Sequence, residues 1–164
     1  MVEPNLIMFE DDYTKVNQIL TRLLEESSSK FVLLVDRSGQ MISIQGETET
    51  IDSMAFATLS AGNYAATSEL AKIIGEREFS VLFHQGESES IHISIVAKRI
   101  ILVVVFDNRT TLGLVRLRVK KAIEDLTPVF NSIFEKVAVE EGEEAIDTKF
   151  QTSAEEEIDK LFRE

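Results

Sequence analysis

Apolar residues recur every three or four positions in three long stretches of the chain, a spacing typical of helices that bury one side. These stretches predict helices over residues 9–24, 52–74 and 112–137. Pro128 lies inside the third stretch, and we expect a bend or a restart beside it because an interior proline costs a helix about 3 kcal/mol. The stripe that we expect to be buried in the first helix consists of Phe9, Tyr13, Val16, Leu20, Leu23 and Leu24.

Shorter apolar runs predict five strands. They cover residues 31–36, 41–44, 79–84, 91–97 and 100–106. Ser38 and Gly39 supply a tight turn between the first two strands, which predicts a hairpin. Residues 101–105 are apolar without alternation, which is typical of a central strand buried on both faces. Because the strands come in hairpins and do not alternate with helices, the order predicts an α+β sandwich with a mostly antiparallel, five-stranded sheet.

The second predicted helix has two apolar faces, so it has two surfaces to pack against. We expect its bulky stripe to face the sheet. The stripe of small residues fits either close packing inside the domain or the close approach of another helix across a symmetric dimer. The bulky stripe consists of Phe56, Leu59, Ala66, Leu70 and Ile73. The small stripe consists of Ala57, Ala61, Ala65 and Ser68, with Tyr64 beside them.

The end of the chain is acidic and loses helical periodicity. Residues 139–164 carry ten acidic and three basic side chains, a net charge of −7. We therefore divide the chain into a domain over residues 1–138 and an acidic tail over residues 139–164. Ser153 and Glu156 have the spacing of a capping box and predict a short tail helix, which either frays in water or docks on a partner. Its apolar edge consists of Ile158, Leu161 and Phe162.

The composition excludes several classes of function. A net charge of −12 argues against a nucleic-acid binder, because phosphate contacts need a basic face. The absence of cysteine excludes thiolate nucleophiles and cysteine zinc sites, and it fits a reducing compartment. No apolar run approaches the roughly 20 residues of a membrane span, and the N-terminus lacks a secretory pattern. We therefore expect a cytoplasmic protein that binds neither nucleic acid nor membranes.

No set of residues forms a recognisable catalytic, cofactor or metal site, so we expect neither an enzyme nor a bound cofactor. The chain has no P-loop and no G-x-S-x-G nucleophile elbow. His84 and His92 lie on predicted strands without carboxylates at ligand spacing, which favours a structural role over a metal pair or a general base. A basic cluster in the third helix is best interpreted as a solvated face, with an acidic partner or a phosphate as the alternative. This basic cluster consists of Arg116, Arg118, Lys120 and Lys121.

The order of elements and several stretches of sequence resemble the Roadblock/dynein light chain family, and within it the bacterial MglB branch. The similar stretches are residues 31–40 (FVLLVDRSGQ), 59–67 (LSAGNYAAT), 70–76 (LAKIIGE), 83–86 (FHQG), 103–116 (VVVFDNRTTLGLVR) and 158–162 (IDKLF). The resemblance implies a Roadblock-type sandwich with helices on both faces of the sheet and a C-terminal tail helix. It also implies a homodimer in which the sheets join edge to edge and the second helices lie side by side.

The resemblance also implies a function, the regulation of a Ras-like small GTPase of the MglA type. Two copies of an MglB-like chain receive one GTPase and accelerate GTP hydrolysis by ordering its own residues, without donating an arginine. The tail helix is implicated in a second contact that affects nucleotide exchange, and the pair acts in cell polarity and motility. Carried to this sequence, the partner-binding residues are Ala57, Ala61, Tyr64, Ala65, Ser68 and Lys72 in the second helix and Ile158, Leu161 and Phe162 in the tail.

Two other functions stay open. A scaffold or adaptor would bind a GTPase or a motor component and leave its GTP turnover unchanged. A small-molecule sensor would need a buried polar pocket, and the sequence displays no convergent set of polar residues.

Overall fold

The computed structural model describes the backbone of residues 8–162, without the side chains of residue 141 and residues 143–150. Within this range the protein consists of three helices and five strands. The elements are α1 (Glu10–Ser27), β1 (Phe31–Asp36), β2 (Met41–Gly46), α2 (Ser53–Ile73), β3 (Val81–Gln85), β4 (Ser90–Val96), β5 (Ile100–Phe106) and α3 (Leu112–Phe162). Their order confirms the predicted sequence of elements up to the tail.

The sheet is antiparallel throughout and has the strand order β2-β1-β5-β4-β3. All residues of β5 are buried, which confirms the central strand that its continuous apolar run predicts. β2 and β3 are the edge strands, and β3 pairs only with β4 within the described chain. The helices lie on both faces, α1 and α3 on one and α2 on the other. The α+β sandwich is therefore confirmed.

The first turn of α1 differs from the predicted buried stripe. Phe9 and Tyr13 are 48% and 45% exposed, whereas Asp12 is only 5% exposed. Asp12 takes the inward position because it lies one turn before Val16 on the buried side, and its carboxylate accepts a hydrogen bond from Lys136 Nζ at 3.5 Å. Phe9 precedes the helix, so including Phe9 and Tyr13 in the stripe was wrong.

Helix α3 continues without a break from Leu112 to Phe162 and contains Pro128. The predicted restart beside Pro128 was wrong, because the fully buried Leu126 and Phe130 on either side anchor the helix to the core and offset the missing hydrogen bond. The predicted separation of the tail helix was also wrong, because the acidic segment belongs to the same helix. Its apolar periodicity disappears because the helix has passed the sheet, not because it has ended. The domain boundary after residue 138 stays a prediction.

Candidate interaction surface

Helix α2 turns its small residues towards the sheet. Ala57, Ala61 and Tyr64 are at most 5% exposed. Of the bulky stripe, only Phe56 packs on the sheet, with its ring against Phe31, so the prediction that this stripe faces the sheet was wrong for its other residues. The physical reason is that large side chains already fill this face of the sheet, so small side chains at Ala57 and Ala61 let the helix come close. The strand residues buried in the same cluster as the helix are Phe31, Leu33, Val35, Ile93, Ile101, Val103 and Val105.

Tyr64 fixes α2 to the segment that leads into β3. Its phenol donates a hydrogen bond to the carboxylate of Glu78, and the Arg37 guanidinium lies 5.8 Å from the centre of its ring. Arg37 also forms an ion pair with Glu78 at 3.8 Å. Because a buried tyrosine needs a partner for its hydroxyl group, these contacts stabilise Tyr64 in its buried position.

The side of α2 that points away from the sheet is apolar and exposed. Leu59, Leu70 and Ile73 are 72%, 59% and 80% exposed. Between them, a Cβ atom added at Gly62 would meet no heavy atom within 4 Å. An apolar patch of this kind is typical of a protein interaction site. We call this surface the outer face of α2, and it consists of Ala55, Leu59, Gly62, Ala66, Leu70 and Ile73.

The predicted partner-binding residues of α2 do not form one exposed surface. Ala65 and Lys72 are exposed and Ser68 is half-buried, whereas Ala57, Ala61 and Tyr64 lie on the sheet side as described above. Lys72 forms an ion pair with Glu69, the two charged atoms being 2.8 Å apart. The role of these residues in partner binding stays a prediction. Four residues of the outer face belong to the predicted bulky stripe, which was expected to pack on the sheet, so the sequence identified this face but assigned it the wrong side of the helix.

The edge strand β3 borders α2. The side-chain nitrogens of Asn63 on α2 and His84 on β3 lie 3.1 Å apart and form a hydrogen bond. The main-chain groups on the outer side of β3 have no strand partner within the described chain, and such an edge is a template for pairing with a second chain. One side-chain hydrogen bond therefore links α2 to the strand that carries this free edge.

Arg109 is the centre of an ionic cluster on the surface. Arg109 donates hydrogen bonds to Glu47 at 3.0 Å and to Asp107 at 2.9 Å. These contacts lower the pKa of both carboxyl groups and raise the pKa of Arg109. A carboxylate held by arginine is a poor proton acceptor. Among the described residues, no three histidine, aspartate or glutamate side chains are grouped so that they could hold a metal ion.

The three predicted tail residues lie together at the far end of α3. Ile158, Leu161 and Phe162 are 53%, 78% and 85% exposed, and their spacing puts them on one edge of the helix. Ile158 lies about 38 Å along the helix from Ile133, which is the last buried residue of α3 among the described side chains. None of the described helices is both long and apolar enough to cross a membrane.

Comparison with known proteins identifies the family. Residues 15–106 match the model of the Roadblock/LC7 domain. A structure of Myxococcus xanthus MglB is 51% identical, covers 78% of this chain and 96% of its own, and superposes with a TM-score of 0.74. The gliding protein MglB from Thermus thermophilus is 34% identical, covers 78% of this chain and 97% of its own, and superposes with a TM-score of 0.71.

A further MglB structure, described as having a tetrameric arrangement, is 33% identical, covers 80% of this chain and 99% of its own, and has a TM-score of 0.73. No curated protein sequence matches the chain. The family match spans more than half of the chain, and the identities extend over most of it. The chain therefore belongs to the Roadblock/LC7 family, within which it is similar to the bacterial MglB proteins.

Proposed function

We propose that this chain is a homodimeric platform that binds a Ras-like small GTPase of the MglA type in the cytoplasm and stimulates its GTP hydrolysis. The observation that carries the proposal is the exposed, apolar outer face of α2 on a chain of the Roadblock/LC7 family. A relative named a gliding protein supports a role in motility, and the proposal extends to cell polarity. Two copies of the chain would bind one GTPase.

The free edge of β3 and the outer face of α2 support the homodimer. If β3 paired antiparallel with β3 of a second copy, the sheet would continue across a two-fold axis and the two α2 helices would lie side by side. Gly62 and Ala66 lie one helical turn apart, and small residues at this spacing let two helices approach closely. The tetrameric arrangement of an MglB relative also supports self-association.

The residues of α2 favour stimulation without a donated arginine. The helix contains no arginine, and Lys72, its one cation, is paired with Glu69. An arginine finger accelerates hydrolysis by roughly 10³–10⁵, and this surface offers no such group. Packing of the apolar surface against the mobile segments of the GTPase would instead order its own catalytic residues.

The end of α3 would make a second contact with the GTPase. Its apolar edge is exposed, and the helix carries it far from the sheet. A segment held at this distance is able to touch the GTPase away from α2 and to affect nucleotide exchange. Ile158, Leu161 and Phe162 are the contact residues in this proposal.

Single-turnover GTP hydrolysis by an MglA-type GTPase, with and without this chain, tests the proposal. We expect a large acceleration that is lost in Leu59→Glu, because a carboxylate would replace an apolar contact at the centre of the interface. Leu117→Glu is the matched control, since Leu117 is 61% exposed on α3. Binding with unchanged hydrolysis would refute the stimulation and favour the scaffold function.

A further inference from the structure

A cleft of about 570 Å³ lies on the other side of the sheet from α2, between α3 and the strands β3 and β4. Val81 of β3 and two residues of α3, Val119 and Ile123, give it an apolar lining. Pockets for small organic ligands have volumes of roughly 300–1,000 Å³, are mostly apolar and contain a few fixed polar groups. The size and lining of this cleft fit that class.

Two buried polar side chains from β4 line the cleft. His92 and Ser94 are 2% and 1% exposed, and the distance from His92 Nδ1 to Ser94 Oγ is 3.2 Å. They point to the same side of the sheet because they are two residues apart on one strand. Burial, together with the nearby charge of Arg116, lowers the pKa of His92. A neutral imidazole has one donor and one acceptor nitrogen, so the cleft contains hydrogen-bonding groups that are already desolvated.

Two cations of α3, Arg116 and Lys120, line the cleft and lie one turn apart. Arg118 and Lys121, the other members of the basic cluster, are paired with carboxylates at 3.4 Å and 3.1 Å. Arg116 and Lys120 form no ion pair with any residue in the described part of the chain. Glu124 is the only carboxylate in the lining, so the cleft is locally positive on a chain whose net charge is −12.

We propose that this cleft binds a small organic anion with an apolar body, such as a medium-chain carboxylate. The body would pack against Val81, Val119 and Ile123, and the anionic group would lie between Arg116 and Lys120. A purely apolar ligand would not use the two free cations, and an inorganic anion would not use the apolar lining. The site lies on the opposite face of the sheet from α2, so an occupied cleft leaves the proposed GTPase surface uncovered.

Octanoate is a suitable probe, and the two histidines of the chain report its position. His92 lines the cleft, whereas His84 bonds to Asn63 on the α2 side. In a titration followed by NMR of the imidazole rings, we expect a saturable shift of the His92 signals with a Kd below about 1 mM and no change for His84. Octan-1-ol lacks the anionic group and inorganic phosphate lacks the apolar body, so each should bind at least about tenfold more weakly than octanoate.

Two double variants of α3 test whether Arg116 and Lys120 bind the anionic group. Arg116→Gln combined with Lys120→Gln should weaken octanoate binding about tenfold or more. Arg118→Gln combined with Lys121→Gln changes the charge of the same helix equally and should leave binding intact. The proposal is overturned by unchanged His92 signals at about 10 mM octanoate, by equal shifts of both histidines, by equal affinity for octan-1-ol, or by equal effects of the two variants. If the first variant fails to fold, the comparison of the three probes on the wild-type chain decides alone.

Discussion

Replacing Gly62 with leucine separates the folding of the chain from its association. Gly62 lies in the middle of the outer face of α2, and a Cβ atom there meets no heavy atom within 4 Å. Leucine is a better helix former than glycine by roughly 0.8 kcal/mol. Because the new side chain has open space, we expect the free energy of unfolding of the single chain to stay constant or to rise by up to that amount.

In the proposed dimer, the same side chain would enter a close contact between two helices. Extra methylene groups in a well-packed contact cost about 1–3 kcal/mol, which corresponds to roughly five- to 150-fold weaker association. Sedimentation velocity over a range of concentrations measures the association, and urea denaturation at high dilution measures the stability of the chain. Single-turnover GTP hydrolysis then shows whether the platform still works. The matched control is Gly113→Leu, because Gly113 is an exposed glycine of α3 with equally open space.

One outcome for the Gly62→Leu chain would refute the close contact between two α2 helices. A Gly62→Leu chain that is folded, associates like the wild type and stimulates the GTPase at the wild-type rate would mean that nothing packs closely on the outer face. Loss of association in Gly113→Leu as well would point to a general effect of the substitution. Loss of association together with lower stability at high dilution would contradict the open space at Gly62.

Three other predictions follow from single features. Gly46→Ala should lower the free energy of unfolding, measured in urea, by more than about 2 kcal/mol, because φ is 111° and the new Cβ would lie 2.5 Å from the Lys30 carbonyl oxygen. Gly75→Ala is the control: φ is 83° but the space around it is open, so the free energy of unfolding should fall by only about 1–2 kcal/mol. Burial lowers the pKa of His92 in the folded chain below its ordinary value of 6.5, so the unfolded chain binds more protons. The free energy of unfolding should therefore decrease as the pH falls below 6.5, and His92→Gln should flatten this dependence. Truncation after residue 140 should change the free energy of unfolding by less than about 0.5 kcal/mol, yet it should remove any effect on nucleotide exchange.

The sheet was predictable because its signals are local. The turn at Ser38 and Gly39 sets the first hairpin, and the continuous apolar run of β5 requires burial on both faces. Both features depend only on neighbouring residues, and the structure confirms both. The strand order was not predicted, because β1 pairs with β5, which lies far from it in the chain and is joined to it by no short connection.

The orientation of α2 was not predictable from its own sequence. Both of its faces are apolar, so periodicity alone does not select the buried one. The selection comes from the side chains of β1 and β5, whose bulk leaves room for Ala57 and Ala61 but not for a row of leucines. An Ala61→Arg variant would therefore disturb the core and would not test partner binding alone.

The length of α3 shows the difference between burial and helicity. An apolar stripe reports where a helix contacts a core, and Ile133 is the last buried residue of α3 among the described side chains. The acidic residues beyond it include many glutamates, which are good helix formers. The helix therefore continues after its stripe ends, and a sequence pattern of burial underestimates its length.

The basic cluster illustrates why a site built from separate elements is hidden in a sequence. Its four cations look equivalent along α3, and the solvated face was the simplest interpretation. The structure divides them by their neighbours: α1 and α3 supply carboxylates to Arg118 and Lys121, whereas Arg116 and Lys120 line a cleft with the buried His92 of β4. The Lys121–Asp125 pair lies within α3, but the packing of α3 on α1 and β4 determines the rest of this division. Whether the unpaired cations serve an organic anion is therefore decided at the cleft, by a probe that distinguishes Arg116 and Lys120 from their paired neighbours.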